Sequence, residues 1–175
     1  MTSRTLRPLP TLVLALGLLI LGGGPTLAQS PQFLGTYRDW NVYKFADEEQ
    51  TICYIASEPT KQQGNYTRRD PPALLVTRRS EPEVVDEVSV QPGYSYFEGS
   101  EVEVEVDGNR KFMLFTRGEH AWTKSTAEDE ALIASMRRGN ELTVRGTSVK
   151  NTWSLDNYSL LGFTAAYDAM IAACS

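Results

Sequence analysis

The chain has 175 residues, 41% of them hydrophobic, and 17 basic against 22 acidic side chains give a formal net charge of −5. That length suits one domain with ample material for a core, and the acidic balance excludes a phosphate-backbone partner, so no nucleic-acid binding is expected. Two cysteines without C-x-x-C spacing exclude the usual dithiol redox centre.

Residues 1–28 read as a secretory signal peptide. Arg4 and Arg7 supply the positive start, Thr11 to Leu21 the apolar stretch, Gly22-Gly23-Gly24-Pro25 the break, and Thr26-Leu27-Ala28 the small residues of a cleavage site. The apolar stretch is about 11 residues, short of the roughly 20 that a spanning helix needs, so no stable membrane span is expected after cleavage. Residues 29–175 are then a single exported domain, in which Cys53 and Cys174 allow one internal disulfide. Two free thiols or an intermolecular bridge are the competing readings.

Strand signals dominate the exported domain. Asp39 to Phe45 is aromatic and β-branched and ends at the polar cluster Asp47-Glu48-Glu49; Thr51 to Ser57 is its expected hairpin partner. Glu58 to Pro72 reads as a polar loop containing Arg68-Arg69. Ala73 to Thr77 is short and apolar, as a central strand would be, and after Glu81-Pro82-Glu83 a strand resumes over Val84 to Val90, followed by a turn at Gln91-Pro92-Gly93. Glu101 to Val106 alternates glutamate and valine, one face wet and one dry. Its glutamate row reads as a solvated face that discourages edge pairing, not a calcium site, whose ligands must converge on one ion. Asp107-Gly108 marks a tight hairpin, and Lys111 to Phe115 returns.

Two helices interrupt the strands. Ser125-Thr126-Ala127-Glu128 has capping-box form, with Glu128 expected to reach back to the Ser125 amide; Glu128, Asp129 and Glu130 suit the first turn, Arg137-Arg138 the last, and Gly139 a left-handed stop. Leu132, Ile133 and Met136 form a short apolar stripe. Strands are expected again over 141–147 and 153–160. The final helix, about Phe163 to Ala173, sets Phe163, Ala166, Tyr167, Met170 and Cys174 on one face. A bridge from that face to Cys53 would pin the helix to the strand layer. Many short strands with two late helices predict a mainly β, two-sheet sandwich.

Several segments, in their order, carry a resemblance: Asp39-Trp40, Cys53-Tyr54-Ile55-Ala56-Ser57, Gly93-Tyr94 through Gly108, Leu114-Phe115-Thr116 with Ala121-Trp122, Met136-Arg137-Arg138-Gly139, Val144-Arg145-Gly146-Thr147-Ser148, and Tyr158 through Ala166. Together they resemble the invasion-associated locus B family of Gram-negative envelope proteins. The resemblance implies an immunoglobulin-like β-sandwich with a short inserted helix and a C-terminal helix, periplasmic or secreted, with no established enzymatic activity and no catalytic residues to carry over. Where Lys150-Asn151-Thr152 stands here, family members often carry a glycine, which bears on the loop before Trp153.

Chemistry is thin in the chain itself. His120 is the sole histidine, no G-x-S-x-G elbow accompanies it, and one histidine with two distant cysteines makes no zinc site. Neither acidic cluster, Asp47-Glu48-Glu49 or Glu128-Asp129-Glu130, looks like two carboxyls set across a cleft. No cofactor is expected. Aromatic residues are the better candidates for a binding surface: Tyr94, Tyr96 and Phe97 beside Pro92-Gly93, with Trp122. Filling the sandwich core is their competing role. The expected function is therefore a non-catalytic interaction module with a protein partner in the envelope or on a host surface. The alternatives are a glycan or small-ligand binder, a weak carboxylate-dependent hydrolase, or an inhibitor or chaperone of periplasmic enzymes. If the four aromatics line one exposed groove with a pair of acids, the ligand-binding alternative gains.

Overall fold

Valine–glutamate alternation builds the centre of the molecule as expected: Val102 and Val104 are fully buried and Val106 nearly so, while Glu101, Glu103 and Glu105 face outward. The computed structural model describes residues 30–46, 51–79 and 85–174. The expected leader (1–28), the Asp47-Glu48-Glu49 turn and the Glu81-Pro82-Glu83 break fall outside those residues.

Along the described chain run β1 (Gln32–Tyr37), β2 (Trp40–Ala46), β3 (Thr51–Ser57), β4 (Lys61–Gly64), β5 (Ala73–Arg79), β6 (Val85–Gln91), β7 (Glu101–Val106), β8 (Arg110–Arg117) and β9 (His120–Trp122). Helix α1 (Thr126–Met136), β10 (Glu141–Thr147), β11 (Trp153–Ser159) and α2 (Phe163–Ala173) complete it. All ladders are antiparallel, in the order β1-β2-β3-β5-β6-β9-β8-β7-β10-β11-β4. The two expected sheets are thus hydrogen-bonded into one. Their joint is β9, which pairs with β6 only at Ser89↔Trp122 and Val90↔Ala121. The sheet folds over there into a sandwich-like form. Val42, Ile55, Val76 and Val88 from one half and Val104, Leu114, Leu142 and Val144 from the other share the core. The Trp40 indole N–H spans the layers to donate to the Ser159 carbonyl at 3.0 Å.

Three strands lie where the sequence signals none. β1 precedes the first aromatic run. β4 comes out of the polar 58–72 stretch, held by β11 (Leu155↔Gln63) rather than by propensity. β9 occupies a segment that reads as loop. The Asp107-Gly108 hairpin forms as expected, both residues at positive φ (50° and 66°). Asn151, in the loop before Trp153, also takes positive φ, 58°, a conformation that asparagine tolerates better than most side chains.

The helices close the open end of the fold. Ser125 Oγ accepts from the Glu128 N–H, as a capping residue should, but the Glu128 carboxylate accepts from the Lys124 N–H instead of the expected Ser125 amide. The helix stops at Met136, before Arg137-Arg138. Gly139 is not left-handed; its missing side chain leaves room for Val106 and Leu160, whose atoms lie 2.6 and 2.9 Å from where a Cβ would stand. Helix α2 has the expected bounds and face, with Phe163, Ala166, Tyr167 and Met170 buried. Just past its end, Cys174 Sγ lies 2.07 Å from Cys53 Sγ, disulfide distance, with Cα atoms 5.9 Å apart. Among the described residues no helix is long and apolar enough to cross a membrane.

Candidate functional site

The structure divides the four candidate aromatics. Tyr96 is 3% exposed, inside the sandwich, with its ring edge-on to Tyr94 at 5.4 Å. Burial raises its hydroxyl pKa far above the ordinary value. Tyr94 is half-buried; its hydroxyl shares a 2.7 Å hydrogen bond with Ser154. Phe97 points outward, 50% exposed, while its N–H donates to the Thr147 carbonyl at 2.9 Å. Trp122 sits on β9, on the outer face of the sheet. Residues 94–97 lie along β10 through the Tyr96↔Ser148 bridge, so 94 and 96 turn in together and 97 turns out. Tyr94 and Tyr96 therefore meet. Phe97 lines neither the groove beside Trp122 nor the cavity above Arg69, and Trp122 belongs to another surface.

That surface is a groove of about 520 Å³ between β9, the ends of β5 and β8, and the start of α1. Cross-strand register puts Phe115 opposite Trp122 and Arg117 opposite His120. The Trp122 ring stacks on His120 with centroids 5.3 Å apart and leans on Phe115 at 5.7 Å. His120 Nε2 lies 2.8 Å from the Gln91 amide nitrogen; its neighbour is an amide, not the carboxylate that general-base chemistry would want. Three cations border the groove. Arg79 pairs with Glu87 at 3.5 Å and Lys124 with Glu101 at 2.6 Å, and the hydrogen bond and charge of Glu101 raise the Lys124 pKa. Arg117 has no ion-pair partner among the described residues.

Asp129 forms the deep end. It is buried, and its carboxylate accepts the Val88 N–H at 2.8 Å. Burial raises its pKa, against the pull of that backbone hydrogen bond. The expected first-turn acid of α1 is thus a structural acceptor. Of its neighbours, Glu128 caps the helix and Glu130 is exposed, so this trio does not face itself across a cleft. The glutamate row of β7 is tied to lysines: Glu103 lies 3.1 Å and Glu105 3.9 Å from Lys111.

A second cavity, about 540 Å³, opens where the connections around residues 66–70, 93–95 and 148–152 meet. Its floor is Arg69, whose side chain is 3% exposed and forks onto Asp156, 2% exposed. The same guanidinium donates to the Pro92 carbonyl at 3.1 Å and to Gln62 Oε1 at 2.8 Å, and lies 4.7 Å from the Tyr66 ring centre. Gly93 (φ 75°) makes this possible: a Cβ there would stand 1.9 Å from the Asp70 carbonyl oxygen. The Arg69–Asp156 pair went unforeseen. Arg68-Arg69 stands out in the sequence, but its partner lies 87 residues away and no local pattern links them.

A family model described as "Invasion associated locus B (IalB) protein" matches residues 40–171. Among solved structures, the crystal structure of invasion associated protein b from Bartonella henselae superposes with a TM-score of 0.56 at 17% identity, covering 83% of this chain and 98% of that one. At that identity the likeness concerns the fold. No curated protein matches.

Proposed function

Since the chain belongs to the invasion associated locus B family, we propose that it is an exported, non-catalytic protein that binds another protein, in a Gram-negative envelope or on a host surface, through the Trp122 groove. The family is not one of known enzymes, and the observation that carries the reading is the outward-facing Phe115–Trp122–His120 stack beside Arg117, which has no ion-pair partner among the described residues. Tryptophan and arginine dominate the energetics of protein interfaces, because a flat apolar ring and a planar cation bury much area with little ordering cost. Arg79 and Lys124, already paired, would form a polar rim. Export follows from the leader pattern of residues 1–28, and the acidic charge suits a dissolved domain.

The test uses cross-linking in intact cells. Proteins captured by the wild-type chain should be lost with Trp122→Ala and with Arg117→Glu; Arg117 is exposed, so the melting temperature of the second variant should hold. Capture unchanged in both variants overturns the groove as the site. Mass spectrometry of the protein recovered from the envelope should find Gln29 as the first residue; a retained leader overturns export.

A further inference from the structure

The cavity floored by Arg69 shares none of its lining with the Trp122 groove, and its chemistry differs. We propose that it binds a sugar residue carrying one carboxylate, a uronic-acid type of ligand.

Rigidity comes first. Three connections form the walls, and main-chain hydrogen bonds lock them: Asp70 N–H to the Gly93 carbonyl at 3.0 Å, and Val149 N–H to the Ser95 carbonyl at 2.9 Å. The third wall is braced internally, with Ser148 Oγ 2.6 Å from Thr152 Oγ1 and accepting the Lys150 N–H at 3.2 Å. Beneath them the buried Arg69–Asp156 pair is held by three further contacts of the guanidinium, to Pro92, Gln62 and Tyr66. A pocket whose walls are fixed before the ligand arrives spares the ligand an ordering cost.

Composition decides the ligand class. The lining carries the hydroxyls of Thr67, Tyr94, Ser95 and Thr152 beside apolar surface from Val149 and the tyrosine rings. That favours a small, hydroxyl-rich molecule, and the volume falls within the range of small-molecule sites. The Tyr66 and Tyr94 rings offer apolar surface for the C–H face of a pyranose. Charge then sets the anion. Arg69 is neutralised by Asp156, whereas exposed Arg68, Asp70 and Lys150 form no ion pair among the described residues. Among the lining residues, two cations against one carboxylate leave a single uncompensated positive charge; Glu119, which accepts from Ser95 Oγ at 3.4 Å, stands outside the lining. One ligand carboxylate balances it, and Asp70 can accept from sugar hydroxyls. A phosphomonoester, near −2 at neutral pH, would overfill the site and meet Asp70.

The experiment titrates the full chain, as recovered from expressing cells, with D-galacturonate and D-glucuronate by saturation-transfer NMR, with D-galactose, D-glucose and glucose 6-phosphate as comparison arms. Saturable uronate binding with a Kd of about 1 mM or tighter is expected. Arg68→Glu and Lys150→Glu should each weaken it roughly tenfold or more, the scale of a lost charge-assisted hydrogen bond, without moving the melting temperature, since both side chains are exposed. The neutral hexoses should bind at least as weakly as those variants bind uronate. Trp122→Ala should leave uronate binding unchanged, which separates this site from the protein-binding groove. Absence of saturation at about 20 mM uronate, binding indifferent to both charge reversals, equal binding of the neutral hexoses, or tighter binding of glucose 6-phosphate would each overturn the proposal.

Discussion

Helices α1 and α2 close the same sandwich by opposite means. Helix α1 is well begun and lightly anchored: Ser125 caps it, and one buried carboxylate, Asp129, reaches the sheet. Helix α2 has no side-chain cap; its first turn starts from left-handed Gly162 (φ 89°), where a Cβ would stand 2.0 Å from the Tyr37 carbonyl oxygen. Its anchors lie further along. Tyr167 donates to Asp86, which Arg78 grips through two hydrogen bonds of 2.8 and 2.7 Å, and burial together with that carboxylate pushes the Tyr167 hydroxyl up to about 12. Lys44 Nζ donates to the Ala173 carbonyl at 2.8 Å, and Cys174 reaches Cys53. The lesson lies in how each helix begins. A helix with a side-chain cap is fixed at its start, and one buried carboxylate to the sheet accompanies the burial of its apolar face. A helix without such a cap is held instead by contacts spread along its length.

The contrast is broken most directly at the tether. Cys174→Ser should cost about 2–5 kcal/mol, the range for a bridge closing a long loop; the sequence separation here is 121. The loss should appear as a lower melting temperature under oxidising conditions. Hydrogen exchange should locate it, with protection falling in α2 and the facing ends of β2 and β3 while α1 keeps its own. Equal melting temperatures for variant and wild type would mean that Tyr167, Lys44 and the apolar face already suffice.

Asp129 probes the lighter anchor. β9 is only three residues long, so it leaves the Val88 N–H on an open edge of β6, and Asp129 takes the place of the missing strand. Asp129→Ala should cost about 1–3 kcal/mol, the penalty for stranding a buried donor. Asp129→Asn keeps an acceptor oxygen and should cost less, measured by urea denaturation at neutral pH. The pH dependence has a definite sign. Because the folded carboxyl is raised above its ordinary 3.8, the native state holds the proton more tightly than the unfolded chain. Its contribution to stability therefore falls as pH rises through the window between the ordinary and the raised value. The stability gap between wild type and Asp129→Asn should move in favour of wild type as pH falls through that window. A gap independent of pH would remove the buried charge from the account.

Cys174 and Asp129 also show how far the sequence could be read. Everything about α2 that depends on period was legible: its bounds, its buried face, and a cysteine placed where that face meets the strands. The alternation of β7 and the Asp107-Gly108 turn were equally plain, because each is written in neighbouring residues. Asp129 was visible only as one of three acids suited to a helix start; that it faces an unpaired strand edge depends on where β9 ends, which no local pattern states. Gly139 misled for a related reason, since a glycine kept for close packing against Val106 and Leu160 looks the same in sequence as one kept for a left-handed stop. The aromatic surface was half legible. Residue type picked out Trp122 and Tyr94 as binding candidates, but only strand register shows that Phe115 and His120 flank the first, and only tertiary packing sets Arg69 and Asp156 beneath the second.

The cap supplies the smallest and most local test. Ser125→Ala removes the acceptor of the Glu128 N–H and should cost about 1 kcal/mol, within the 0.5–2 kcal/mol range for such caps. Thermal unfolding should register it as a shift of roughly 2–4 °C for a domain of this size. The same change leaves Glu128 bonded to the Lys124 N–H, so the loss should stop short of full fraying, and exchange protection should fall in the first turn of α1 but hold at Leu132 and Met136, which the core buries. Helix α2 has no counterpart to this residue, and Ser125→Ala should not change its exchange. If α2 loosened as much as α1, the two closures would be coupled through the core rather than held separately, and the division between a capped helix and a tethered one would fail.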